Sequence, residues 1–226
     1  MMNFDTENLV MVCYPQEAGG KFLVNCLGLN DQSVFQSGLL VEKQLKGKFT
    51  VEEKFNFLKT QLSNVKKHWN DLGLGCVQLF GIDRKSYITY SSVEECKNFD
   101  FNPEIFLLSQ LDLKFFIVAH DNIYASKIIQ LWRNAKIILF FNSNNFIKWR
   151  YDRDSSEFGD IEVLPKNNII HYFDNDIYFN SDHTVSEIKL LYDKLNLLNF
   201  NEPMIREYHK LWIEKLKEIK KIDKPK

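Results

Sequence analysis

Residues Asn8 to Leu29 read NLVMVCYPQEAGGKFLVNCLGL, and the fold follows from this stretch. Leu9-Val10-Met11-Val12-Cys13 is an unbroken apolar run, the pattern of a strand covered on both faces as in a parallel sheet. Tyr14-Pro15 ends it, because proline cannot donate to a central ladder. Gly19-Gly20 follow, and Lys21 to Leu27 has the composition of a helix opening. Strand, glycine loop and helix together aim main-chain N–H groups and the positive end of a helix dipole at an anion.

Against the Walker pattern G-x-x-x-x-G-K-[ST], Gly20-Lys21 match the second half. Pro15 stands at the first glycine and Phe22 at the hydroxyl residue that normally ligates Mg²⁺. A phosphate cradle with its lysine but without a metal ligand suits a nucleotide held without metal. It disfavours an ordinary ATPase or GTPase. The competing reading is a tight turn between a strand and a helix.

The segment Tyr14-Pro15-Gln16-Glu17-Ala18-Gly19-Gly20-Lys21-Phe22 resembles the phosphosulfate loop of the sulfotransferases, Tyr-Pro-Lys-Ser-Gly-Thr-Thr in its usual form. Here the loop is longer, Gln16 replaces the family's lysine, and the threonine pair is absent. The resemblance implies an α/β fold of the three-layer, P-loop-like kind, a central parallel sheet flanked by helices. It also implies 3′-phosphoadenosine 5′-phosphosulfate (PAPS) as co-substrate, with no metal. Gln16, Ala18, Gly19, Gly20, Lys21 and Phe22 would then form the phosphosulfate loop, with Lys21 supplying the lost charge.

Two further segments carry the resemblance. Lys114 to Asp121 (KFFIVAHD) is an apolar strand with a polar end, and Val118-Ala119-His120 is similar to the sulfotransferase strand that ends in Lys-Thr-His. By that likeness His120 is the general base on an acceptor hydroxyl, a task suited to a group titrating near neutral pH. The alternative is a histidine capping the next helix. Asn134-Ala135-Lys136-Ile137-Ile138 resembles the family's Asn-Ala-Lys-Ile-Ile-Tyr, which runs into an arginine and, on the next helix, a serine that hold the 3′-phosphate. Asn142 falls at the arginine and Arg150 at the serine. We read this as a cation that has changed sides, with Arg150 reaching the 3′-phosphate from a helix over 143–151 and Asn142 donating a neutral hydrogen bond. The alternative is that Arg150 is a surface charge and the 3′-phosphate site is lost.

The rest of the chain frames these parts. Residues 30–48 read as loop with a short helix. Thr50-Val51-Glu52-Glu53 is a capping box opening a packing helix over about 51–70 with a solvated lysine face. Cys76 to Phe80 reads as a strand. Ile123, Ile128, Ile129 and Trp132 fit an amphipathic helix, and Asn168 to Phe173 a strand, in which His171 reads as structural. Asp174 to Phe179 (DNDIYF) reads as an aromatic turn. Thr184-Val185-Ser186-Glu187 reads as a second capping box, opening a helical segment over 184–221 with Pro203 in the first turn of its second helix. The basic end, Lys215 to Lys226, reads as a fraying, solvated helix end.

Length and charge bound the partners. The 226 residues fit one α/β domain, and 45% hydrophobic residues are enough for a core. A formal net charge of −1 gives no basic field for nucleic acid. No apolar run approaches the ~18 residues of a membrane span, and the first residues lack the basic start of a secretory signal. Cys13, Cys26, Cys76 and Cys96 form no C-x-x-C pair and read as reduced thiols of a cytoplasmic protein, with no metal site. The expected function is transfer of a sulfuryl group to a hydroxyl or amine of a small-molecule or glycan acceptor. The alternatives are a catalytically inactive nucleotide-binding or interaction module of the same fold, and a small-molecule P-loop kinase.

Overall fold

The computed structural model describes residues 8–15, 18–34, 50–64, 114–119, 122–141, 145–146 and 161–222. Within them, five strands form one parallel sheet: β1 (Leu9–Cys13), β2 (Ser33–Val34), β3 (Lys114–Ala119), β4 (Lys136–Phe141) and β5 (Ile169–Asp174), in the order β2-β3-β1-β4-β5. The helices are α1 (Gly20–Gly28), α2 (Val51–Asn64), α3 (Asn122–Leu131), α4 (Ser181–Lys194) and α5 (Glu202–Ile222). The class is therefore mixed α/β.

β1 is central, and all five of its residues are buried. Its unbroken apolar run needs cover on both faces, and the order of connections supplies it. The chain leaves β1 through α1 toward β2 on one side, then returns from β3 through α3 to β4 on the other. Right-handed crossovers running in opposite directions place their helices on opposite faces. Cys13 pairs in register with Ala119 of β3 and Leu139 of β4, and Tyr14 N–H donates to Ala119 O at 3.0 Å. Ile137 pairs with Ile169 but Ile138 with His171, so a bulge shifts the β4–β5 register.

Several local signals act as their residue types require. Thr50 and Glu53 make the reciprocal box, with Glu53 N–H donating to Thr50 Oγ1 at 3.2 Å and Thr50 N–H to Glu53 Oε2 at 2.8 Å. The helix that follows is described as far as Asn64; residues 65–70 of the expected span, and the strand expected at 76–80, lie outside the described residues.

Four expectations are corrected. Thr184 does not open a helix: α4 starts at Ser181, capped by Asn180 Oδ1, which accepts from the N–H groups of Asp182 and His183 at 2.9 and 3.1 Å. Asn180 offers its short amide one turn earlier, so Thr184 is left inside the helix, where its hydroxyl donates to Ile177 O and Asn180 O. Ser33–Val34 pairs with β3 as a short strand where only loop and helix were expected. The lysine face of α2 is not wholly solvated. Lys59 is on the surface near Glu207, but Lys54 is buried. The tail is also more ordered than a fraying end: α5 runs to Ile222 and buries Leu216 and Ile219, while Lys215 pairs with Glu218.

Lys54 explains how α1 ends. Its Nζ donates to Asn30 O at 2.5 Å, Ser33 O at 2.8 Å and Gly28 O at 3.3 Å. Burial pushes its pKa down to about 8, against the pull of Asp31, so it remains an ammonium at neutral pH. It sits where a cation suits the negative end of the helix dipole. Replacing Lys54 with Met leaves three buried carbonyls without their donor. Such groups cost about 1–3 kcal/mol each when orphaned, so chemical denaturation should show a loss of roughly 2 kcal/mol or more. A loss below about 0.5 kcal/mol, the range of ordinary surface changes, would contradict this role.

Candidate functional site

In open α/β sheets, ligands bind beyond the carboxyl ends of strands where the connections diverge. Here that point lies between β1 and β4, since the chain leaves β1 to one side and β4 to the other. The loop after β1 and the start of α1 stand at this crevice.

Gly19 is the N-cap of α1 and has φ 84°, in the left-handed region, while Gly20 begins the right-handed helix. A left-handed residue followed by a helical one turns successive N–H groups toward one side, the arrangement called a nest. The N-cap residue, being glycine, has no side chain with which to cap this helix start. Gly19 O accepts from the N–H groups of Phe22 and Leu23, which closes the first turn.

Both glycines are also required by packing. A Cβ on Gly19 would stand 2.7 Å from Tyr178 Cε2 and 3.4 Å from Phe146 Cε1 and Trp212 Cη2. A Cβ on Gly20 would overlap the ring of Tyr14. Phe22 lies at the hub of these rings: it stacks on Trp212 at 4.3 Å and on Tyr208 at 5.4 Å, and meets Tyr178 edge-on. In place of the Walker hydroxyl the chain thus has a ring turned into an aromatic core. Such pairs add about 0.5–1.5 kcal/mol each beyond the area they bury.

Of the residues the sequence singled out, the structure brings together Ala18, Gly19, Gly20, Lys21 and Phe22. Ala18, both glycines and Phe22 are buried, and Lys21 is half-buried in the first turn of α1. Gln16, His120, Asn142 and Arg150 lie outside the described residues. The strand ends that precede His120 and Asn142, Ala119 and Phe141, belong to β3 and β4, the two neighbours of β1.

Other residues at the loop were not marked by the sequence as site residues. A 3₁₀ turn, Asn175–Phe179, follows β5 and reaches the loop: Asn175 Nδ2 donates to Ala18 O at 3.4 Å and Tyr178 Oη to Gly19 O at 3.1 Å. Burial, with Cys26 and Tyr14 nearby, pushes the Tyr178 hydroxyl well above its usual range, so it stays a donor. His209 Nε2–H donates to Tyr178 O at 3.0 Å, and burial lowers the His209 pKa, favouring the neutral ring. The composition of DNDIYF signals a turn but not its distant target, more than 150 residues back in sequence. Burial likewise raises the Cys26 thiol well above its ordinary value, which leaves it unreactive. Among the described residues, no three His, Cys, Asp or Glu side chains come together as a metal site, and no helix is long and apolar enough to cross a membrane.

Comparison of the chain with protein-family models, with curated proteins and with solved structures gives no match.

Gly19→Ala should destabilise the fold by about 2 kcal/mol or more. A left-handed non-glycine residue costs roughly 1–2 kcal/mol, and the added methyl meets the Tyr178 ring. Thermal unfolding of the variant checks this, and an unchanged midpoint would contradict the packing described.

Proposed function

We propose that the chain is a sulfotransferase-like enzyme with a P-loop-like, three-layer α/β fold, moving a sulfuryl group from PAPS to an acceptor hydroxyl or amine. The observation that carries this reading is the start of α1. The helix is buried except at Lys21, and its last carbonyls are taken by side chains from elsewhere in the chain, while its N-cap is a glycine with no side chain of its own and its first turn opens as a left-handed–right-handed glycine pair at the sheet's switch point. Such an end suits an anion. The order β2-β3-β1-β4-β5, with the loop after the central strand, supports the fold.

In this reading the nest of Gly19 and Gly20 receives the 5′-phosphosulfate and Lys21 balances its charge. The acceptor oxygen attacks sulfur in line as the bond from sulfur to the bridging phosphate oxygen breaks. The acceptor proton passes to His120, and 3′-phosphoadenosine 5′-phosphate departs. Lys21 stabilises charge growing on the bridging oxygen, an electrostatic role, and alignment of the two oxygens supplies much of the remaining rate. Arg150 and Asn142 hold the 3′-phosphate. The acceptor is a small molecule or a glycan.

A second reading has its own observation. The rings of Tyr14, Phe146, Tyr178 and Trp212 close on the two glycines, and this favours an inactive module of the same fold whose glycines serve packing alone. Thermal melting separates the two. At a hundredfold excess over Kd a ligand adds about 2.7 kcal/mol, so 3′-phosphoadenosine 5′-phosphate should raise Tm by several degrees, while ATP with Mg²⁺ should not. A shift with ATP and Mg²⁺ alone would favour a kinase, and no shift with either would favour the inactive module.

A further inference from the structure

The 3₁₀ turn after β5 has no part in the reading above, yet two of its side chains end on consecutive carbonyls of the glycine loop. Asn175 is 2% exposed and Tyr178 is fully buried, so neither is there by chance of surface contact. β5 is separated from β1 by β4, and the turn that follows β5 brings the two side chains up to the loop after β1.

In a trans peptide the C=O and the N–H of one plane point in opposite directions. The Ala18 carbonyl turned toward Asn175 Nδ2 therefore sends the Gly19 N–H away from the turn. The Gly19 carbonyl, which the first-turn N–H groups of Phe22 and Leu23 also engage, accepts from Tyr178 Oη, and its plane likewise sends the Gly20 N–H away from the turn. Tyr178 also fills the place of the missing Cβ on Gly19, so one side chain both demands the glycine and grips its carbonyl. The turn is itself held fast. Asp174 caps it by accepting from Asp176 N–H, Thr184 Oγ1 donates to Ile177 O, and His209 to Tyr178 O.

We propose that Asn175 and Tyr178 are positioning residues for the anion nest: by holding the carbonyls of Ala18 and Gly19 they aim the N–H groups of Gly19 and Gly20 at the 5′-phosphate end of the nucleotide. This rests on the nucleotide-binding reading. It adds that selectivity for a 5′-phosphate is set from the far side of β4, by groups that do not touch the ligand. The near-isosteric variants Tyr178→Phe and Asn175→Leu remove these donors with little change of side-chain volume.

The test is calorimetric titration of the full chain and both variants with two probes, 3′-phosphoadenosine 5′-phosphate and adenosine 3′-phosphate, which lacks the 5′-phosphate. The wild-type chain should bind the first more tightly. Tyr178→Phe should weaken the first about tenfold, or ~1.4 kcal/mol, and leave the second unchanged, so that the two affinities converge. Asn175→Leu should act in the same direction and carries the test alone if Tyr178→Phe does not fold. Equal weakening of both probes would show a merely structural role and overturn the proposal, as would an unchanged affinity for the first. A wild-type chain that binds neither probe overturns the nucleotide-binding reading itself, and the proposal with it.

Discussion

Helix α1 is buried at every residue but Lys21, so the carbonyls at its C-terminal end and those just before its start need partners from within the protein. Much of the remaining architecture answers that constraint. At the C-terminal end, Tyr192 donates to Cys26 O and Leu29 O, Asn30 Nδ2 to Leu27 O, and Lys54 to Gly28 O. Within the helix, Asn25 Nδ2 donates to Tyr208 Oη at 2.9 Å. At the N-terminal end, Asn175 and Tyr178 hold the carbonyls just before it. Hooks from α2, from the turn after β5, from α4 and from α5 thus converge on one short helix. Orphaning any of these buried groups would cost about 1–3 kcal/mol, a large share of the 5–15 kcal/mol, roughly, that holds a domain folded.

The same convergence accounts for the aromatic cluster. With Tyr178 and Trp212 drawn in against Gly19, and Tyr208 against Asn25, the ring at position 22 lies among them, and Phe fits where a hydroxyl would be an uncompensated polar group. Two demands therefore meet on the glycine pair: room for rings behind it and, in the proposed reading, main-chain donors turned to the front. The first is a matter of packing. The second gives the proposed nucleotide reading its physical basis.

Local chemistry was legible in the sequence, and distant chemistry was not. The apolar run of β1, the Thr50–Glu53 box, the strand beginning at Lys114, and α3 each follow from periodicity or capping within a few residues. Thr184 misled because a good capping pattern lay one turn behind a better one at Asn180. Ser33–Val34 is too short to show any alternation, and it becomes a strand only through its pairing with β3. Lys54 sits on a helix rich in polar residues, and only its meeting with the end of α1 makes it a core residue. At the candidate site the glycines and Lys21 were marked by their order after a strand. Asn175 and Tyr178 were not, because nothing within DNDIYF names a partner more than 150 residues away. The proposed roles of His120, Asn142 and Arg150 rest on the resemblance to sulfotransferases alone.

The claim at the centre of this account is that the main-chain donors of Gly19 and Gly20 face an anion rather than only the rings behind them. Their backbone amide resonances, followed by heteronuclear NMR while 3′-phosphoadenosine 5′-phosphate is added, test it most directly. The account predicts large, saturable downfield shifts at both glycines, exceeding those in β5 or at the far end of α1. Glycine amides that do not move while the ligand is added to excess would contradict it.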